Sequence, residues 1–178
     1  MFKLPFQTSL LLAPLAYAIH HGEEHLIFNF RAWRLRYFAD NNQLSTEAVL
    51  VILLSISMVY ILFHATIRNR VSAWMALVFL MATQVHNAIF HLGGTIIFRD
   101  FSPGLITALL LYVPVNALIM RSALCEGLVS GKTLWMLFFA GGVLFWGFEI
   151  FGPLVLLVGV TVTWAWVLAS ARTARASG

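Results

Sequence analysis

Cysteine is nearly absent. The lone Cys125 excludes an internal disulfide and a CxxC redox or zinc site. Charge is scarce too: 10% of the 178 residues are Asp, Glu, Lys or Arg, and 61% are hydrophobic. Soluble domains carry roughly 25% charged residues, so most of this surface faces lipid. The formal charge of +4 is spread over short connections. There is no basic run of the kind that binds nucleic acid. Internal repeats, low-complexity tracts and linkers are also missing. The length suits one small bundle, and residues 1–178 read as a single transmembrane helical domain.

What is present is a series of apolar stretches near the 20 residues that cross a bilayer. They cover 4–28, 47–67, 72–98, 103–120, 134–151 and 154–170. The predicted fold is an all-α, polytopic transmembrane helix bundle of six spans. Residues 134–170 as one helix would run about 55 Å, well beyond a hydrocarbon core of roughly 30 Å. Gly152-Pro153 is the expected break; without it the bundle has five spans. The first stretch also resembles a secretory signal ending Ala16-x-Ala18. It is read as a retained span, because cleavage after Ala18 would strand the polar groups that follow. With six spans, Lys3, Arg68, Arg70, Arg121, Lys132, Arg172 and Arg175 gather on one side. Arg31, Arg34, Arg36 and Arg99 gather on the other. The positive-inside rule then puts both termini in the cytoplasm, and the expected location is the cell inner membrane.

Against this apolar background, "HHGEEH" places five ionisable groups in the six positions His20 to His25. Spans one, three and five run in the same direction. His20, His21, Glu23, Glu24 and His25 lie late in the first. His86, Asn87 and His91 lie late in the third, and Glu149 lies late in the fifth. Five of the six histidines and three of the seven acids therefore share one layer. A charge at a helix centre costs about 2.5–3.5 kcal/mol on insertion scales. Neutralisation, pairing or a bound cation removes that cost. No Lys or Arg lies inside the neighbouring spans; Arg31 and Arg99 are the nearest in sequence and could snorkel in.

Helix geometry orders the ligands. At 100° per residue, with His20 at 0°, Glu23 points to about 300° and Glu24 to about 40°. His21 and His25 fall on a neighbouring face. Asn87 and His91 are i, i+4 partners. The expected metal ligands are His20, Glu23, Glu24 and His91. Asn87 is a weak oxygen ligand or an orienting residue. His21, His25, His86 and Glu149 supply a second ion or the surrounding shell. Such donors suit iron, with zinc and manganese as alternatives. Carboxylate and His ligands from several helices also build di-metal bundles.

"HHGEEH", "NAIFH" and "FSPG" together resemble the HXXEE membrane protein family. His20, Glu23 and Glu24 match its H-x-x-E-E motif, and Asn87 and His91 match its N-x-x-x-H motif. Phe101, Ser102, Pro103 and Gly104 match its Y-x-P-G motif with Phe in place of Tyr. The resemblance covers roughly residues 10–120. It implies a small integral membrane protein with an enzymatic centre, and it supplies no reaction.

The function expected is an intramembrane metal-dependent enzyme with one or two ions. An iron-dependent oxidoreductase acting on a lipophilic substrate from the membrane lipid is favoured. A zinc hydrolase is the rival, with Glu23 or Glu24 as catalytic base. A proton or metal-ion transporter is the non-enzymatic alternative, although the cluster occupies only one face. His64 is read as structural. Trp74, Trp135, Trp164 and Trp166 are read as interfacial anchors. The Gly pairs 93–94 and 141–142 are read as helix-packing sites. The Arg31/Arg34/Arg36 segment is read as an interfacial helix.

Overall fold

The computed structural model describes residues 4–40 and 42–176, with side chains left aside at a few positions near the C-terminal end. Of the cations counted for orientation, Lys3 and the Arg175 side chain fall outside that description. The fold is all-α, and no strand occurs among the described residues. A short helix α1 (Phe6–Ser9) precedes α2 (Leu12–Gly22). Helix α2 runs into a π-helical turn, Glu23–Ile27, closed by an i→i+5 bond from Phe28 N–H to Glu23 O. Helix α3 (Phe30–Tyr37) follows, then α4 (Thr46–Ile67), α5 (Arg70–Phe98), α6 (Leu105–Cys125), α7 (Gly131–Phe151) and α8 (Pro153–Ala176).

Four of these, α4 to α7, are long and apolar enough to cross a membrane, and the apolar part of α8, Pro153–Trp166, is shorter. The first expected span is therefore not one regular helix: it breaks between Ser9 and Leu12 and widens at Glu23. The break expected after α7 is present. Gly152 takes φ +72°, and Pro153, which has no N–H to place, opens α8.

Helix α5 is the central column. In its most apolar window 72% of residues are buried, against 22% for α4 and for α7. Its residues Met75–Ala82 are all buried, as a helix apolar on every side requires. Asn69 and Ser72 start it with a reciprocal capping box. Arg99 ends it in a left-handed conformation. At Met81–Val85 it too widens into a π turn. Gly141 of α7 packs on that turn so closely that a Cβ there would meet the Met81 Cβ at 2.5 Å. The expected packing role of the second Gly pair is thus seen directly.

Away from this layer, His64 is fixed by Ser72 Oγ at 2.9 Å and by the edge of Phe6. Trp74 Nε1–H donates to Leu128 O at 2.9 Å. The arginine-rich segment forms α3, capped by Asn29 Oδ1 accepting from Ala32 N–H. Its Trp33 is buried against Phe90, Phe98 and Gly94. Helix α3 therefore folds back over the end of α5, and its Phe30 ring comes to 5.2 Å from the His91 ring.

Candidate metal centre

Three pieces of chain meet at one point. The end of α2 brings His20 and Glu24, the second half of α5 brings His91, and the turn Ser102-Pro103-Gly104 closes the third side. His20 and His91 are 1% and 0% exposed, with ring centroids 5.1 Å apart. Their Nε2 atoms lie 3.4 and 3.2 Å from the same Glu24 Oε1. Neither Nε2 has a hydrogen-bond partner. These three ligand atoms lie within 4.8 Å of one another.

The opposite ring nitrogens are held by hydroxyls. His20 Nδ1 meets Thr107 Oγ1 at 2.8 Å, and His91 Nδ1 meets Ser102 Oγ at 2.8 Å. Glu23 supports this arrangement from behind. Its Oε1 accepts from Gly104 N–H and Ile106 N–H, and its Oε2 accepts from Thr107 N–H. These are amides at the start of α6, which no intrahelical carbonyl can satisfy. The Thr107 hydroxyl also donates to Glu23 Oε2, at 2.5 Å. A hydroxyl has one proton. With that proton committed to Glu23, Thr107 Oγ1 accepts from His20 Nδ1–H. A neutral His20 then presents a bare Nε2 lone pair to the carboxylate. Glu23, expected as a ligand and catalytic base, is placed as an anchor for the α6 N-terminus. On the 100° wheel Glu23 and Glu24 flank His20 on opposite sides, and it is the Glu24 side that meets His91, while the Glu23 side meets the start of α6.

A second group lies on the other oxygen of Glu24. His21, Glu24 and His25 offer ligand atoms within 4.8 Å of one another. His25 Nε2 is 3.7 Å from Glu24 Oε2, and the His21 and His25 rings are 4.4 Å apart. Glu24 thus stands between two histidine pairs, one on each oxygen.

The remaining expected site residues separate. Asn87 lines the same cavity as the cluster, and its buried Oδ1 has no hydrogen-bond partner. His86 lies outside both groups. Its Nδ1 meets Met81 O at 3.0 Å within the π turn, Phe138 lies against its ring, and Gly142 leaves room for its Nε2. Glu149 is paired with Arg34, Nη2 to Oε2 at 2.8 Å. The cation is Arg34 and not Arg31 or Arg99, because α3 folds inward at that residue. Arg31 pairs with Asp40 at 3.0 Å, and this hydrogen bond chiefly holds the Asp40 carboxyl below its ordinary pKa.

Sequence reasoning missed four contributors. Thr107 and Ser102 orient the ligand histidines. Gly104 takes φ +100°, and a Cβ on it would come 2.8 Å from Cε1 of both His20 and His91. Tyr112 lies 4.4 Å from the His20 ring, with a buried hydroxyl that has no partner. One signal was available for Gly104 and Ser102, which sit in "FSPG". Thr107 precedes and Tyr112 ends the third π turn, Ala108–Tyr112, and nothing in the hydrophobic pattern marks it.

From the cluster a cavity of about 210 Å³ extends between α4, α5, α7 and α8. Its near end holds His21, Glu24, His25 and Asn87, and its far end reaches Tyr60 and Thr163. The two far groups are hydrogen-bonded to each other.

Residues 11–119 match the family described as proteins of unknown function with an HXXEE motif. A 67-residue stretch is 37% identical to Uncharacterized protein YrkK of Bacillus subtilis (strain 168). That stretch covers 37% of this chain and 42% of YrkK, so the match spans less than half of the curated relative. No solved structure matches. The matched residues include His20, Glu23 and Glu24, together with Asn87, His91, Gly104 and Thr107, and the chain belongs to the HXXEE-motif family.

Proposed function

We propose that the chain is a multi-pass protein of the cell inner membrane whose His20–Glu24–His91 group binds a metal ion. His21, Glu24 and His25 hold a second ion, with Glu24 bridging the two. The reaction proposed is an iron-dependent oxidation of a lipophilic substrate taken from the bilayer. One observation carries the reading: two unpartnered His Nε2 atoms converge on one carboxylate oxygen at 3.4 and 3.2 Å. Among the described residues the buried Glu24 carboxylate has no Lys or Arg beside it, and a cation bound at this point would engage all three atoms at once.

Several features support a metal over a shared proton. The Nδ1 atoms are already occupied by hydroxyls, the outer arrangement that orients metal-binding histidines. Two His and one carboxylate are the donor set of non-haem iron oxygenases, and iron in such a set supplies redox chemistry with dioxygen. The protein's own contribution is to hold the three ligands rigidly, with Glu23 and Thr107 fixing His20 and with Ser102 fixing His91. The long apolar helices and the mostly apolar cavity favour a substrate delivered through lipid.

The same two-His, one-Glu set also serves catalytic zinc, which keeps a zinc hydrolase as the second reading. Glu23 is committed to the amides of α6, so the hydrolase would need a base from another residue. The transporter reading has less support. Among the described residues at the far end of the cavity, Tyr60 and Thr163 satisfy each other, and Thr83 along the wall bonds Phe79 O.

The test is elemental analysis of detergent-purified protein, joined to turnover of extracted membrane lipids with and without air. Iron, with product formed only in air, is the expected result. Zinc at one equivalent, with product formed under nitrogen, replaces the oxidase by the hydrolase. Failure to retain any metal ends both.

A further inference from the structure

The near end of the cavity is polar and every cation on it is paired. Arg31 is held by Asp40 at 3.0 Å and Arg34 by Glu149 at 2.8 Å. His21, Glu24, His25 and Asn87 are among the polar groups that join them on the lining. The far end is a long apolar slot. On α4 the lining runs from Thr46 to Tyr60, about 21 Å of helix axis. On α8 it runs from Val155 to Thr163, about 12 Å. Phe79, Leu144 and Leu156 line it between.

We infer that this cavity is the binding site of a single long-chain, uncharged amphiphile, such as a fatty alcohol. Its oxygen sits beside Glu24 and Asn87, and its tail lies between α4, α5 and α8. This deepens the proposed function by naming the substrate class, and it rests on that reading for placing the reacting end at the cluster. Three observations select the ligand. The slot is elongated and apolar, which suits an extended chain and leaves few polar atoms unsatisfied. Asn87 Oδ1 is buried without a hydrogen-bond partner and can accept from a hydroxyl. A phosphate head would compete with Asp40 and Glu149 for Arg31 and Arg34, whereas an uncharged head leaves both ion pairs intact.

Val160 and Val158 give a matched pair of probes on α8. Val160 lines the far end of the slot, whereas Val158 is 55% exposed on the outer face. Binding is measured on the metal-free protein in detergent, by native mass spectrometry and by competition, with hexadecanol, octanol and hexadecyl phosphate. Hexadecanol is expected to bind the parent chain and Val158→Trp equally, and to bind Val160→Trp at least about tenfold more weakly. Octanol, with half the chain length, is expected to lose less affinity than hexadecanol in Val160→Trp, and its retained binding reports that the variant is folded. Equal hexadecanol affinity in Val160→Trp overturns the site. Preferential binding of hexadecyl phosphate, or of bilayer phospholipid over hexadecanol, overturns the uncharged single-chain ligand. Since metal is absent from this assay, its outcome is separate from that of the metal centre. A chain that takes up iron yet binds no hexadecanol retains the first proposal and loses this one.

Discussion

Gly104 lies so close to His91 that a single added methyl group would stand 2.8 Å from the histidine's Cε1, and the same methyl would stand 2.8 Å from Cε1 of His20. The turn before α6 is therefore one wall of the candidate metal centre. Its backbone also takes φ +100°, a region that costs a side-chain-bearing residue about 1–2 kcal/mol. Gly104→Ala is expected to keep the helical content and lose most bound metal, because both rings must move together. Circular dichroism with elemental analysis checks this, and full metal loading of the variant would show that the rings tolerate displacement.

Glu23 and Glu24 are adjacent, and the structure gives them opposite duties. Glu24→Gln removes the oxygen charge on which both histidine pairs converge and is expected to abolish metal retention. Glu23→Gln leaves the ligand atoms in place but weakens the bonds to the amides of Gly104, Ile106 and Thr107. Its expected cost is about 1–3 kcal/mol of stability, with metal affinity reduced about 10- to 100-fold. A thermal melt beside a metal titration separates the two. Equal metal loss in both variants would return Glu23 to the ligand set.

These two carboxylates also mark how far the sequence could be read. The pairing of His20 with Glu24 was legible, because i and i+4 share a face in an α-helix and nearly so in a wider turn. Asn87 and His91 were legible as neighbours in α5 for the same reason, and the Gly152-Pro153 break was legible from its residue types alone. The partner of Glu23 was not, because its bonds go to amides of Gly104, Ile106 and Thr107, a tertiary contact more than 80 residues away. The Arg34–Glu149 pair was hidden as well: it depends on α3 folding back over α5, which is a tertiary event set by Trp33 packing on Gly94. Thr107 escaped notice because a Thr hydroxyl in an apolar helix ordinarily satisfies its own backbone, and Tyr112 because a lone Tyr in an apolar stretch reads as core.

Arg34 and Glu149 are both partly buried, with side chains 13% and 16% exposed. Removing one partner takes away the other's charge complement, while removing both leaves an apolar contact. Arg34→Met is expected to destabilise more than the double variant Arg34→Met/Glu149→Leu, with a coupling of about 0.5–3 kcal/mol. Chemical or thermal unfolding of the four proteins in the cycle measures it. A coupling of zero would mean that the pair is solvated and that α3 is held by its aromatic residues alone.

His86 is the control histidine of this layer. It is as buried as His21, yet its Nδ1 is bound to Met81 O and its ring packs on Phe138. His86→Leu is expected to lower the melting temperature and to leave metal stoichiometry unchanged. Loss of an equivalent of metal at constant fold would place His86 among the ligands after all.

The two histidine pairs differ in what they share with the rest of the site, and this makes the number of ions testable by mutation. His20 and His91 are locked from behind by Thr107 and Ser102, whereas His21 and His25 touch mainly each other and Glu24. Glu24 alone belongs to both groups. If each group holds one ion, the double variant His21→Ala/His25→Ala keeps one metal per chain and His91→Ala keeps at most one. Glu24→Gln keeps none. The order of loss follows from the geometry: the locked pair is preorganised and binds first, so the ion released earliest by a mild chelator belongs to His21 and His25. Stoichiometry by elemental analysis, followed through a chelator titration, reads all of this in one preparation. Retention of a full equivalent by Glu24→Gln would show that the carboxylate bridges nothing. A single equivalent in the parent chain, untouched by removing His21 and His25, would reduce the centre to one ion at His20, Glu24 and His91.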